Sequence, residues 1–258
     1  MPSPKEVTLE IKDRVARVVM ARPPLNILTI RMMKEMNQLI QRIGAMPDIC
    51  AIVLCSAPST RAFCAGVAVE DHKAETVYQM LESFHAIFRT LNAISKPVVA
   101  LVSGAALGGG CELVAFADIV IATQLARFGQ PEIKLATFPP VSACVLPRII
   151  GQKKARELIL TGELLTAEEA RSLGLVNYVV NDVELETRAA EILGSLRQLS
   201  APALELARRA MVAADGLPFE EALKQTENIY LNQLMSHKDP NEGIQAFIDK
   251  RPPVWKHR

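Results

Sequence analysis

The chain has 258 residues, half of them hydrophobic but only 5% aromatic, which suits one large α/β domain, or one domain with a small appendage, whose core is Val, Ile, Leu, Ala and Met. Its 29 basic and 28 acidic residues leave a formal charge of +1, so no net field draws it to nucleic acid or to an anionic membrane. The cysteines Cys50, Cys55, Cys64, Cys111 and Cys144 form no C-x-x-C pair, and with four scattered histidines they offer no zinc spacing.

The opening Met1-Pro2-Ser3-Pro4-Lys5-Glu6 lacks the apolar core of a signal peptide. The longest uncharged run, Pro97 to Cys111, is dense in glycine and too short to span a bilayer. A soluble, cytoplasmic protein with reduced thiols is expected. Val7–Ile11 and Val15–Met20 are apolar or alternating around Lys12-Asp13, which predicts a β-hairpin. Arg22-Pro23-Pro24 breaks this pattern, and a helix is predicted from Thr29 to about Gly44. A short strand at Ala51–Cys55, a loop over Ser56–Asp71 and a helix over Glu75–Ile94 come next. Pro97–Ser103 (PVVALVS) is continuously apolar, as a parallel strand buried on both faces requires. A Gly-rich turn, a helix near Gly110–Phe116 and a strand at Ile119–Thr123 follow, so the first part is an α/β layer with crossover connections. After about Gln152 the chain becomes helical. Thr166-Ala167-Glu168-Glu169 is a capping box, and Asp239-Pro240 opens a helix with Asp as its cap and Pro at its first position. Between them Phe219, Ala222, Leu223, Thr226, Ile229 and Tyr230 keep helical spacing. No Gly/Ser linker or fixed repeat divides the chain.

Three patches carry chemistry: Ala62–Val67 (AFCAGV), Gly104–Glu112 (GAALGGGCE) and Phe128–Glu132 (FGQPE). Three glycines between a buried strand and a helix leave backbone N–H groups free of any Cβ, at a helix end that carries unpaired donors and a positive dipole. Such a place binds an anion or the oxyanion of a reacting carbonyl. The phosphate motifs G-x-x-x-x-G-K-[ST] and G-x-G-x-x-G are absent, and glycines alone favour a plain tight turn. Glu112 tips the balance, because it stands amid Cys111, Leu113, Val114 and Phe116, where a carboxylate needs a partner or a raised pKa. Glu132 follows twenty residues later, after a proline. Taken singly, each glutamate also fits a structural ion pair.

In this order and at these separations the patches resemble the enoyl-CoA hydratase/isomerase superfamily, the crotonases. The run Lys96–Glu132 is similar almost residue by residue, with weaker similarity over the rest. The resemblance implies an α/β, crotonase-like core of repeated ββα units in a spiral over residues 1–195, and a C-terminal helical trimerisation segment over 196–258. It implies an oxyanion hole from the backbone N–H groups of Val67 and Gly109, with Glu112 and Glu132 as catalytic residues. Coenzyme A and the acyl group would meet Leu25, Ala65, Gly66, Ala68, Gly108, Phe138, Pro140 and Val141. Phe247 and Lys250 would meet the adenine and phosphate end, often from an adjacent subunit, although Phe247 equally fits helix core by periodicity. Neither a metal nor a separate cofactor is implied, since coenzyme A is part of the acyl-CoA thioester substrate. The implied assembly is a homo-oligomer, a trimer or a dimer of trimers.

Retention of both glutamates points to a hydro-lyase acting on a 2-enoyl-CoA. A double-bond isomerase, which commonly keeps a single carboxylate, and a non-catalytic binding protein on the same fold are the alternatives. A Ser-His-Asp hydrolase is disfavoured, because no G-x-S-x-G is present and His72, His85, His237 and His257 lack a motif. The chain departs from the family pattern at Ala68, Glu70 and Pro23-Pro24-Leu25-Asn26. It departs further at Phe138-Pro139-Pro140-Val141-Ser142-Ala143-Cys144, where many hydratases have glycines. Proline and β-branched residues stiffen that stretch, so a pocket of unusual shape is expected with Phe138, Val141 and Leu146 as walls. Within the superfamily the run Glu132–Val141 (EIKLATFPPV) looks more like hydratases of cyclic dienoyl-CoA thioesters.

Overall fold

Strands that are apolar on both faces need cover on both faces, and the computed structural model, which describes residues 5–257, provides it. The reading of the N-terminal stretch therefore lies partly outside the described residues. β1 (Val7–Lys12) and β2 (Val15–Met20) pair antiparallel, and Asp13 and Arg14 both take positive φ, as a two-residue hairpin turn demands. α1 (Ile30–Gly44) follows, its Thr29 side chain accepting from the Met32 N–H. Three ββα units come next: β3 (Ala51–Ser56), β4 (Ala62–Cys64) and α2 (Val77–Ile94); β5 (Val98–Val102), β6 (Ala105–Leu107) and α3 (Gly109–Phe116); then β7 (Ile119–Thr123), β8 (Arg127–Gly129), a 3₁₀ turn at Pro131–Leu135, α4 (Pro140–Ile149) and α5 (Gln152–Thr161). β9 (Leu164–Thr166), α6 (Ala167–Ser172), β10 (Tyr178–Val180) and α7 (Leu185–Arg197) complete the sheets. The expected capping box is present at Thr166 and Glu169.

The first strand of each unit joins one sheet, β1-β2-β3-β5-β7-β10, and the second joins another, β4-β6-β8-β9. Ile52, Leu54, Val98, Ala100 and Val102 enter the core shared with α1, α2 and the smaller sheet. Ala51, Val53, Cys55, Val99 and Leu101 enter a second core under α7. This alternation explains the uninterrupted apolar runs in the sequence. The stretch expected to be a loop from Ser56 to Asp71 contains β4, and the Gly-rich turn contains β6; three-residue strands are too short to show a period.

α8 (Ala201–Ala214), α9 (Phe219–Asn232) and α10 (Asp239–Ile248) form the C-terminal helices. Arg208 pairs with Asp118, and buried Lys96 pairs with Glu205, tying α8 to the sheet. Asp239 corrects the expectation of a helix cap: Lys238 occupies that place, and the buried Asp239 carboxylate accepts from the Lys256 and His257 N–H groups, pinning the tail. α2 starts at Val77, with Thr76 as the capping position. Among the described residues no helix is long and apolar enough to cross a membrane.

Candidate active site

The glycine triplet begins α3, and each glycine is required for a different reason. Gly108 has φ +51°, and a Cβ there would lie 2.5 Å from Glu132 Oε1. At Gly109 a Cβ would press on Phe84 Cζ and on Val67 Cγ2, at 2.9 and 3.0 Å. At Gly110 it would meet the Cys64 carbonyl oxygen at 2.1 Å, because α3 packs directly on β4.

Val67 forms an isolated parallel bridge with Leu28, in which the neighbours carry the bonds: Leu28 N–H donates to Gly66 and Ala68 N–H donates to Leu28. The Val67 N–H therefore points away from Leu28, on the side where α3 begins. Among the described residues neither this N–H nor that of Gly109 has an acceptor. The first is free by ladder geometry, the second because it starts a helix.

Glu112, one turn into α3, is 2% exposed, and its Oε1 accepts from the Ser142 N–H at 2.8 Å. The Val141 amide lies beside the same carboxylate and also favours its ionised form. Both amides belong to the first turn of α4, whose capping position, Pro139, supplies no side-chain acceptor. A carboxylate from thirty residues away thus takes the role of a helix cap. Burial pushes the Glu112 carboxyl up to about 7, and the neighbouring Glu132 adds to the rise against the pull of the two amides.

Glu132 rides the 3₁₀ turn that opens with Pro131. Burial raises its pKa, and its Oε2 is buried with no partner among the described residues. Both carboxyls face a cavity of about 560 Å³ whose largely apolar walls include Val77, Met80, Leu81 and Phe84, with His72, Lys134 and Thr137 as its other polar residues.

Of the residues expected at the site, Ala65, Gly66, Val67, Gly108, Gly109, Glu112, Glu132, Phe138 and Pro140 line this cavity. Ala68 and Leu25 do not: Ala68 is buried, and the Leu25 side chain is exposed while its carbonyl accepts from the Ala65 N–H. Val141 packs against the main core and Leu146 lies within it, so of the three expected walls only Phe138 faces the cavity. The rotation of α4 decides this, and helical spacing alone does not reveal it. Phe247 is 86% exposed, which excludes the helix-core reading, and with Lys250 it lies outside the cavity of its own chain. The sequence reading missed Phe84, whose ring abuts Gly109, and His72, which lines the cavity while its Nδ1–H donates to the Ala68 carbonyl. It also missed Gln130 and Ser142, whose side chains meet behind Glu112; a buried amide within a Gln-Pro-Glu run was the only available signal.

Two N–H groups without acceptors among the described residues, beside two carboxyls of raised pKa, can stabilise a developing oxyanion and exchange protons with a neighbouring carbon or water. The comparisons with known proteins agree in kind. The family model described as enoyl-CoA hydratase/isomerase matches residues 10–258. A probable mitochondrial enoyl-CoA hydratase of Dictyostelium discoideum is 37% identical over 97% of this chain and 91% of its own length. A cyclohexa-1,5-dienecarbonyl-CoA hydratase of Thauera aromatica is 33% identical over 99% of this chain and 98% of its own length. The crystal structure of an enoyl-CoA hydratase from Bacillus anthracis superimposes with a TM-score of 0.92 at 29% identity, covering 98% of this chain and all of that one.

Proposed function

Because this chain belongs to the enoyl-CoA hydratase/isomerase family, we propose that it is a hydro-lyase that adds water across the double bond of a 2-enoyl-CoA thioester, or removes it. The observation that carries this reading is the pair of carboxyls, Glu112 and Glu132, both raised by burial, beside the unpaired N–H groups of Val67 and Gly109. The thioester oxygen sits between the two N–H groups. Water held by the carboxyls attacks the β-carbon and gives its proton to one carboxylate. The resulting enolate oxygen is stabilised by donors that are strongest in the transition state, and the second carboxyl protonates the α-carbon.

Burial raises Glu112 and by itself favours that residue as the acid. The hydrogen bonds argue the other way, since the Ser142 N–H, with the Val141 amide beside it, selects an ionised Glu112 whereas Glu132 Oε2 has no donor among the described residues. We therefore assign Glu112 to water activation and Glu132 to proton delivery. Proton NMR of the product formed in heavy water tests the reaction: hydration places a hydroxyl at the β-carbon, and migration of the double bond without hydration would point to an isomerase instead.

The substrate we favour is a cyclic dienoyl-CoA. Phe138, Pro139 and Pro140 form a stiff wall beside Glu132, and a relative similar over nearly the whole chain carries the name of such a hydratase. A rigid wall orients a ring, and misplacement by about 1 Å costs roughly 100-fold in rate. We expect kcat/KM for cyclohexadiene-carbonyl-CoA to exceed that for crotonyl-CoA by about tenfold or more; equal values would reject the cyclic substrate and leave the hydratase standing. Phe247 and Lys250 reach coenzyme A only if a second subunit brings them, so the proposal includes a homo-oligomer built through the C-terminal helices, where Phe219, Leu231 and Phe247 are exposed. A monomer mass in light scattering would remove that part.

A further inference from the structure

Gln130 takes no part in the chemistry above, yet it is wholly buried beside it. Its Nε2 lies 2.5 Å from the Ser142 hydroxyl, and its Oε1 is buried with no partner among the described residues. The contact holds for either orientation of the amide, because a hydroxyl both donates and accepts. Gln130 immediately precedes the turn that carries Glu132, whereas Ser142 is the third residue of α4 and gives its N–H to Glu112. One side-chain contact thus joins the backbone bearing one carboxyl to the amide that serves the other. Among the described residues only Glu112 and Gln130 hydrogen-bond to Ser142 through side chains.

We propose that the Gln130–Ser142 contact is a strut that holds the first turn of α4 against Glu112 and so sets the spacing of the two carboxyls. Gln130 and the Ser142 hydroxyl are positioning groups, and neither touches substrate. Their role in turnover rests on the hydratase reading of the site. With the strut gone, α4 retreats, the amides bind the ionised carboxylate less well, and the Glu112 carboxyl becomes harder to ionise. The titratable groups that face Glu112 are Glu132 from the Pro131–Leu135 turn and Cys111 on its own helix, with His72 and Lys134 as the other titratable residues lining the cavity.

The test compares wild type, Ser142→Ala, Gln130→Leu and the double variant. The Glu112 carboxyl is followed by infrared titration as the difference from the matching Glu112→Gln protein, and kcat and KM are measured against pH on crotonyl-CoA and cyclohexadiene-carbonyl-CoA. Ser142→Ala keeps the backbone N–H and removes only the hydroxyl. We expect the carboxyl band to titrate about one unit higher in each single variant. At pH 7 kcat falls about fivefold below wild type with KM unchanged, and its ratio to the wild-type kcat at the same pH returns to near one at pH 9 as Glu112 ionises. The double variant is no worse than the poorer single, since both remove one contact. An unmoved carboxyl titration in Ser142→Ala, a kcat loss that persists at pH 9, or additive losses in the double variant would each overturn the strut. Should Gln130→Leu not fold, Ser142→Ala decides alone. A wild type inactive on both thioesters would count against the hydratase reading, while the infrared titration would still decide the strut.

Discussion

Two helices begin at the same cavity, and they use their first turns in opposite ways. α3 starts at glycines, and its Gly109 N–H has no acceptor among the described residues. α4 starts at Pro140, and its Ser142 amide is occupied by the Glu112 carboxylate, with the Val141 amide drawing on the same group. Every helix start offers unpaired N–H groups and a positive dipole end. Whether that resource serves a ligand or an internal carboxylate is decided by what the fold places in front of it. Here α3 carries the very glutamate that occupies α4, so the open donor and the raised carboxyl come from one short helix.

The largest expected effect comes from breaking the occupied side. Glu112→Gln and Glu132→Gln should each lower turnover by about 10²- to 10⁴-fold, while a non-reactive acyl-CoA still binds by calorimetry. Turnover near normal in either variant would remove that residue from the reaction, and for Glu112 would leave only its capping of α4.

The same exchange at Glu112 has a consequence for stability. Burial carries the carboxyl from 4.5 to about 7, so the folded chain holds a proton more tightly than the unfolded chain does. The stability this contributes is complete below about pH 4.5 and is lost as pH rises through 7. Glu112→Gln stays neutral, so its loss of unfolding free energy between pH 5 and pH 8 should be smaller than that of wild type by about 2–3 kcal/mol. Urea denaturation at the two pH values measures it, and identical slopes would mean that the Val141 and Ser142 amides fully offset the burial.

The smallest effect sharpens the contrast between the two helix starts. Gly110→Ala drives a Cβ to 2.1 Å from the Cys64 carbonyl oxygen, a backbone neighbour that cannot swing aside. A cost of about 1–3 kcal/mol is expected. Pro140→Ala, at a first helical position where many residues fit, should cost less than about 1 kcal/mol. Similar melting temperatures for the two variants would show that α3 is no more tightly seated than α4.

The amino-acid sequence by itself determined what local rules can carry. The apolar runs at Ala51–Cys55 and Pro97–Ser103 announced strands, the second covered on both faces, and the Thr166–Glu169 spacing announced a helix start, because periodicity and capping act within a few residues. The glycine triplet with Glu112 announced a site, since consecutive glycines and a carboxylate in apolar company are both costly unless used. Only the tertiary structure decided the rest. β4, β6 and β8 are three-residue strands that exist through their partners and carry no period of their own. Asp239 reads as a cap but is taken by the tail, and Val141 and Leu146 read as pocket walls but turn to the core, because competing donors and helix rotation are settled by packing. The union of Glu112 with α4, and of Gln130 with Ser142, joins positions thirty and twelve residues apart. A hydrogen bond across such a span depends on where two crossover connections land, and that is a property of the folded layers rather than of any local stretch of chain.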